Sequence, residues 1–130
     1  MAEKKAALIF RGYRIGESRI KLDVEAERIE GETDITLKNE TKEIGENKFE
    51  IILEAAVVNK SGTMDIFVKM TARFDVSPKL EDEQKVALIK MNAPAIMFPY
   101  IRAYISTLTS LSGLAPVIIP AINLSSASSD

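Results

Sequence analysis

The sequence predicts an α+β protein in which an antiparallel sheet is followed by C-terminal helices. Apolar and polar residues alternate with period two in several stretches up to Val76, as in strands with one buried face. Beyond Pro78 the apolar spacing becomes helical. The 130 residues fit one domain. We place it at residues 1–124 and expect residues 125–130 to form a disordered tail.

The first strands are predicted from this alternation. Leu8–Ile15 is expected to form one strand, with a possible bulge at Gly12. It leads into a second strand, Arg19–Ala26, in which one face carries only apolar residues: Ile20, Leu22, Val24 and Ala26. Asp34–Lys38 is a short strand, and the charged stretch Lys38–Lys48 is predicted to be a solvated loop or crossing segment.

A long antiparallel hairpin follows. Phe49–Asn59 and residues 63–76 both alternate, and the turn between them ends at Gly62, where a positive φ costs little. Phe67 is the exception, because it lies on the polar face of the second strand. A core does not need an aromatic ring there, so this residue is a candidate for partner contact.

Two helices are predicted next. Ser77-Pro78 resembles an N-cap and a first-turn proline, and Lys79–Met91 has helical spacing. Because the residue before a proline disfavours the helical region, we expect Asn92-Ala93-Pro94 to end the first helix. The second should begin between residues 95 and 99 and end at Gly113. Residues 115–124 are apolar and proline-bracketed, and are predicted to be an extended segment.

The second predicted helix is apolar over most of its circumference. Its apolar residues form two stripes: Tyr100, Tyr104, Leu108 and Leu111 in one, and Ile101, Ile105 and Leu108 in the other. From Met91 to Ser129, Arg102 is the single charged residue. A sheet covers only one side of a helix, so a second surface must cover the other side. The sequence therefore predicts a homo-oligomer with helices packed between sheets.

The composition excludes most catalytic chemistry. The chain has no His and no Cys, which excludes Ser-His-Asp catalysis, thiolate nucleophiles and imidazole or thiolate metal sites. Carboxylates cluster at Glu40, Glu43 and residues 81–83, but these stretches are charge-rich and solvated, whereas a catalytic carboxylate needs an apolar setting. We predict a protein that is not an enzyme, with no catalytic residue, metal or cofactor.

Nucleic-acid and membrane partners are also not expected. The formal net charge is −2, and Phe10-Arg11-Gly12-Tyr13-Arg14 is the one patch that interleaves aromatic and basic residues. Ala103–Ser129 is uncharged and long enough to span a bilayer, but Pro116 and Pro120 interrupt it. The apolar run before Arg11 is too short for a signal peptide. We expect a cytoplasmic protein without membrane insertion.

The last third of the chain resembles the SecB family of export chaperones. That family has a Cys-Pro-x-Ile-Leu-Phe-Pro-Tyr-x-Arg helix start and, after a glycine, a proline-rich segment that ends in Pro-Val-Asn-Phe. The corresponding residues here are Ala93-Pro94, Ile96–Tyr100, Arg102, Ile105 and Pro120–Leu124. A weaker similarity at Lys48–Glu54 and in the following hairpin extends the resemblance to most of the chain, from Ala7 to Leu124.

The resemblance implies a four-stranded antiparallel sheet with C-terminal helices, and a dimer of dimers with the helices between two sheets. It implies a holdase that binds unfolded polypeptides in apolar grooves without ATP and, in many members, passes them to the SecA motor. The client-binding residues would be Ile35, Leu37, Ile122 and Leu124. The oligomer interface would include Ile66, Val68 and Met70 from the sheet and Tyr100, Tyr104 and Leu108 from the helix.

Three departures bear on the partner. Ala93 replaces the family's cysteine, and Leu124, followed by serines, stands where Phe and a last helix are expected. The resemblance implies that SecA docks on acidic and apolar residues of the outward sheet face. Here that face carries Asp23, Asp65 and Phe67, but also Arg19 and Lys21. A chaperone devoted to one client, such as an antitoxin, fits these departures as well as general export does.

A different class of function uses a similar set of elements. A hot-dog protein, which binds small ligands or hydrolyses thioesters, also combines a sheet with a long helix at this length. Glu50 or Glu54 would then act as a base. That fold places its long helix early in the chain, whereas here the strands come first, so the chaperone hypothesis is preferred.

Overall fold

The computed structural model describes residues 7–27, 32–114, 117–120 and 128–129. The elements are β1 (Leu8–Leu22), β2 (Thr33–Gly45), β3 (Lys48–Asn59), β4 (Met64–Val76), α1 (Asp82–Leu111) and β5 (Ser128–Ser129). The sheet order is β1-β4-β3-β2-β5. The first four strands are antiparallel, and β5 adds a short parallel pairing to β2. The α+β prediction, with its four-stranded antiparallel sheet, is confirmed.

The first predicted strands form one continuous strand, β1, that is longer than either. Its register with β4 shifts between Phe10 and Tyr13, and Gly12 has φ 102°, so the predicted bulge is confirmed. The alternation of Arg19–Ala26 does not continue as strand beyond Leu22. Asp23 turns the chain there, because its side chain accepts a hydrogen bond from the Glu25 backbone N–H (3.0 Å).

The prediction of a loop at Lys38–Lys48 is wrong. β2 continues to Gly45 and pairs with β3 along its whole length. The helix-facing side of this part of β2 carries polar residues, Asn39 and Thr41, so the usual alternation is lost. The strand persists because its backbone hydrogen-bonds to β3, whose own pattern is strongly apolar.

The predicted β3–β4 hairpin and its turn are confirmed. The Asn59 side-chain oxygen accepts a hydrogen bond from the Ser61 backbone N–H (2.9 Å) and another from the Ser61 hydroxyl. The Gly62 N–H donates to the Asn59 carbonyl (2.9 Å), and Gly62 has φ 77°. A residue with a Cβ would be strained at that φ, so glycine is required at this position.

The two predicted helices are one helix, α1. It begins later than predicted, because Ser77 accepts a hydrogen bond from the Lys79 N–H in a turn while Glu81 and Gln84 form the capping box. Pro94 and Pro99 lie inside it. Each proline removes one backbone hydrogen bond, to the carbonyl of Lys90 or of Ala95.

Packing explains why the helix continues through these prolines. Pro94 and Phe98 are buried, so ending the helix there would expose apolar surface. Lys90 and Ala95 are exposed, so water can bond the two carbonyls that lose their helical partners. The Asn92 side chain donates to the Leu88 carbonyl (3.0 Å) within the helix and does not end it.

The core lies between α1 and one face of the sheet. It contains the alternate residues of β3 and β4 that face the helix, together with one line of α1. The fully buried side chains include Ile51, Leu53, Ile66, Met70, Phe74, Met97, Ile101 and Ile105. Across the part of the chain described, α1 lacks the combination of length and apolar character needed to cross a bilayer.

The segment after α1 is held against the helix by Thr109. The Val117 N–H donates to the Thr109 hydroxyl (2.8 Å), and the Ser106 hydroxyl donates to the Val117 carbonyl (2.9 Å). Thr109 is fully buried, and so is Ile119. This agrees with the predicted extended segment for residues 117–120, which are neither helix nor strand.

Replacing Thr109 by Val should destabilise the protein by about 1–3 kcal/mol, because the part-buried Val117 N–H loses its acceptor. The measurement is urea unfolding followed by circular dichroism. Ser112→Ala is the control, since the exposed Ser112 hydroxyl only donates to the Leu108 carbonyl within the helix (2.7 Å). Equal losses for the two variants would show that Thr109 does not anchor the segment.

Two predicted regions fall partly or wholly beyond the described residues. Ile122 and Leu124 lie outside them, as does most of the tail predicted over residues 125–130. The described part of that tail, Ser128–Ser129, pairs with Lys38 and Asn39 of β2.

Candidate functional site

The helix side of β2 holds two of the predicted client-binding residues, Ile35 and Leu37. The helix packs mainly on β3 and β4 and less on β2. Leu37 and Ile35 face the helix side of β2; Leu37 is almost fully buried and Ile35 is half-buried. These two predicted client-binding residues therefore lie on β2 beside the helix, and Ile35 is the more accessible of the two.

The segment 117–120 packs against one flank of α1. The Tyr104 hydroxyl bonds to Ser18 of β1 (3.0 Å), which places that side of α1 over β1. Ser106, two positions further on, projects from the opposite flank and holds Val117. The segment therefore lies on the β2 side of the helix. Ile119 points into the core, whereas Ile118 is 63% exposed.

The predicted oligomer residues divide into two groups. Ile66, Val68 and Met70 are fully buried beneath the chain's own helix. They cannot contact another subunit in this conformation, so their placement in an intersubunit interface is corrected. Tyr104 and Leu108 are half-buried and Tyr100 is 42% exposed, so these helix residues remain accessible to a neighbour.

The helix also presents an uncharged line to solvent that was not among the predicted site residues. We call it the outer helix stripe; it consists of exposed residues at intervals of four, namely Ala87, Met91, Ala95, Pro99, Ala103, Thr107 and Leu111. Met91 is 68% exposed and Leu111 83%. The spacing alone could have revealed this stripe, because residues four apart share a helix face.

An aromatic cluster joins the helix to β1. The ring of Tyr100 lies 4.9 Å from Tyr13 and 5.6 Å from Phe10, measured between centroids, and Phe10 lies 5.3 Å from buried Phe74. Tyr13 and Tyr100 are each 42% exposed. The cluster therefore extends the accessible apolar surface of the helix to the edge of the sheet.

The opposite face of the sheet, which we call the outer sheet face, is charge-balanced. Phe67 lies there as predicted, half-buried, with the Arg19 guanidinium 4.8 Å from its ring centroid. Asp65 is exposed on the same face and pairs in register with Lys21. Asp23 lies in the turn after β1 and not in the strand. Of the three predicted docking residues, the sheet therefore brings only Asp65 and Phe67 together.

Opposite charges alternate along the cross-strand rows of this face. Lys69 lies in register with Glu54, which lies in register with Lys38, and Glu50 lies between Arg73 and Lys42. Such pairs favour the sheet by a few tenths of a kcal/mol to about 1 kcal/mol each. The face has no strong acidic field.

The two carboxylates proposed as a base in the hot-dog alternative lie away from the core. Glu50 and Glu54 lie on the outer sheet face, and Glu50 is 3.5 Å from the Arg73 guanidinium. Within the ranges described, no three Asp or Glu residues are grouped closely enough to hold a metal ion. The element order, four long strands before the helix, also differs from that expected of a hot-dog protein.

Comparison with known proteins points to one family. The family model described as preprotein translocase subunit SecB matches residues 17–127. A protein-export protein SecB of Stenotrophomonas maltophilia is 27% identical over 99 residues, which are 75% of this chain and 58% of that protein. A SecB of Dechloromonas aromatica is 25% identical over 99 residues, 75% of this chain and 65% of the relative. The chain thus spans about three-fifths of the length of these curated relatives.

A solved structure shows the same fold. It is the SecB-like chaperone of Mycobacterium tuberculosis in complex with a ChAD peptide from the HigA1 antitoxin. The TM-score is 0.73 at 14% sequence identity, with 89% of this chain and 88% of that chain covered. A protein of unknown function from Streptococcus agalactiae matches with a TM-score of 0.53 at 10% identity.

Proposed function

The chain belongs to the SecB family, and on that premise we propose that it is an ATP-independent chaperone that holds unfolded polypeptides. The observation that carries the proposal is apolar surface outside the core, above all Ile118, which is 63% exposed on a segment without regular structure. A client chain would contact many such side chains weakly and gain affinity from their number. We assign client binding to Ile35, Leu37, Ile122 and Leu124, with Ile118 added.

We also propose a homotetramer in the cytoplasm. The outer helix stripe and the half-exposed Tyr100, Tyr104 and Leu108 support self-association, because the described residues of the chain leave these uncharged positions of α1 uncovered. Subunits packed through these helices would place the outer sheet faces outward, away from the interface. No enzymatic activity, cofactor, nucleic acid or membrane insertion is part of the proposal.

Two routes for the client are open to a member of this family: delivery to SecA for export, or service to one dedicated client such as an antitoxin. The charge-balanced outer sheet face supports the dedicated client, since it lacks the acidity that docking to SecA would use. The structurally similar SecB-like chaperone of M. tuberculosis binds an antitoxin peptide, which is consistent with a dedicated client for this chain. Asp23, Asp65 and Phe67 remain the proposed contact residues if SecA binds.

The holdase proposal predicts that the protein suppresses aggregation of a chemically denatured client at near-stoichiometric amounts. Light scattering after dilution from denaturant measures it. Ile118→Asp should weaken suppression several-fold, because a charge replaces an exposed apolar contact. Ile9→Asp is the matched control, an exposed isoleucine on the outer sheet face. Unchanged scattering with the native protein would refute the holdase, and equal losses in both variants would refute the assigned surface.

A further inference from the structure

The bulge in β1 sorts the residues of Phe10–Arg14 onto two faces. Phe10 pairs with Phe74 and Tyr13 with Ala72, so both aromatic residues face the helix, with rings stacked 6.4 Å apart. Residues three apart share a face because the bulge at Gly12 inserts one extra residue. The arginines therefore lie on the outer sheet face, whereas the rings of Phe10 and Tyr13 pack against the helix.

Three guanidinium groups meet on that face. Arg11 lies beside the bulge opposite Arg73, and Arg14 is in register with Thr71, next to Arg73 along β4. Together with Glu50 they line an open cleft of about 510 Å³. Elsewhere on this face, residues in neighbouring strands alternate in charge. At this corner Arg11 lies opposite Arg73, and like charges in neighbouring strands repel one another.

The local carboxylates neutralise only part of this charge. Asp75 is 2.7 Å from Arg11, and Glu50 is 3.5 Å from Arg73. Across the described residues, Arg14 has no ion-pair partner. The guanidiniums of Arg11 and Arg73 also remain mostly solvent-accessible, so their remaining N–H donors face the cleft and bulk water.

We propose that this cleft docks an acidic, extended peptide segment of a partner protein, with carboxylates bound by Arg11, Arg14 and Arg73. Guanidinium groups match carboxylates in geometry and form the stronger, charge-assisted hydrogen bonds. Thr71 adds a polar side chain and Ile9, exposed on the same face of β1, an apolar contact. The site lies on the sheet face opposite Ile35 and Leu37, so it is separate from the residues proposed to bind clients.

A nucleic acid is a poorer occupant. Binding of single strands relies on aromatic rings that stack on the bases. Here Tyr13 is the single aromatic residue among those that line the cleft, and its ring already packs against Phe10 and Tyr100.

The test is fluorescence anisotropy with a labelled peptide of alternating Glu and Ala residues, added to the full chain. We expect saturable binding that weakens as salt is raised. The double variant Arg14→Gln/Arg73→Gln should raise Kd about tenfold or more. Arg19→Gln should change Kd less than about twofold, because Arg19 lies on the same strand and face but stacks on Phe67.

Three results would overturn the proposal: no saturable binding, an equal loss with Arg19→Gln, or binding of an oligothymidylate as tight as that of the acidic peptide. A thermal melt of each variant shows that it is folded, and Arg14→Gln alone removes a guanidinium without breaking any ion pair among the described residues. The same variants should suppress client aggregation normally. Loss of peptide binding and loss of holdase activity are thus separately observable.

Discussion

The double variant Ala95→Glu/Ala103→Glu should reduce the assembly to single chains of 14.4 kDa. Both residues are exposed on the outer helix stripe, and Glu favours a helix almost as well as Ala, so the fold should persist. Two carboxylates buried in an interface without partners would cost several kcal/mol, which is enough to dissociate most oligomers. Light scattering coupled to size exclusion measures the mass of the native protein and the variant.

Thr36→Glu is the matched control for this experiment. Thr36 is also exposed, but it lies on the outer sheet face, on the opposite side of the molecule from α1. It should leave the mass unchanged. A native mass of a single chain would refute the oligomer itself. A double variant that keeps the native mass would refute the assignment of the interface to this side of the helix.

The second large effect is on stability. Phe74→Ala should lower the free energy of unfolding by about 3–5 kcal/mol, because it opens a cavity at a fully buried position. It also removes the contact with the Phe10 ring and so loosens the aromatic cluster. Urea unfolding, monitored by far-ultraviolet circular dichroism, gives the difference at a protein concentration where both proteins have the same assembly state.

Phe67→Ala is the control for Phe74→Ala. It tests whether the loss of stability depends on the sheet face on which a phenylalanine lies, and not simply on the removal of a phenylalanine. Phe67 lies on the same strand but on the outer sheet face, under the Arg19 side chain. Its loss should cost about 1 kcal/mol, since the ring is only half-buried and its cation–π contact is exposed. Similar costs for the two phenylalanines would contradict a core confined to the helix side.

The strands were predictable wherever burial differs between the two faces. In β3 and β4 every second residue is buried, so Phe49–Val57 and Met64–Val76 could be assigned from alternation alone. In β2 the inward positions include Asn39 and Thr41, and the pattern fails although the backbone pairing does not. The position of β2 is therefore set by its hydrogen bonding to β3, and the alternation of its own residues does not show it.

The helix and the site show the limits of local rules. Pro94 and Pro99 indicate a break locally, but packing of Pro94 and Phe98 on the sheet outweighs two lost hydrogen bonds. Ile66, Val68 and Met70 were correctly placed on the helix-facing side, but their complete burial by the chain's own helix depends on tertiary packing. That α1 is apolar around most of its circumference could be predicted from the sequence, because this property depends only on the spacing of the residues.

The prolines in α1 have a mechanical consequence. The carbonyls of Lys90 and Ala95 receive no hydrogen bond from the residues four positions later, so this stretch of the helix resists bending less than the rest. The first turn of α1 lies beside Phe49 and Glu43, whereas Tyr104 is tied to β1. A small bend between these two anchors would widen or narrow the space above β2 without melting a turn of helix. Such a bend would let the space above β2 accommodate client segments with side chains of different size.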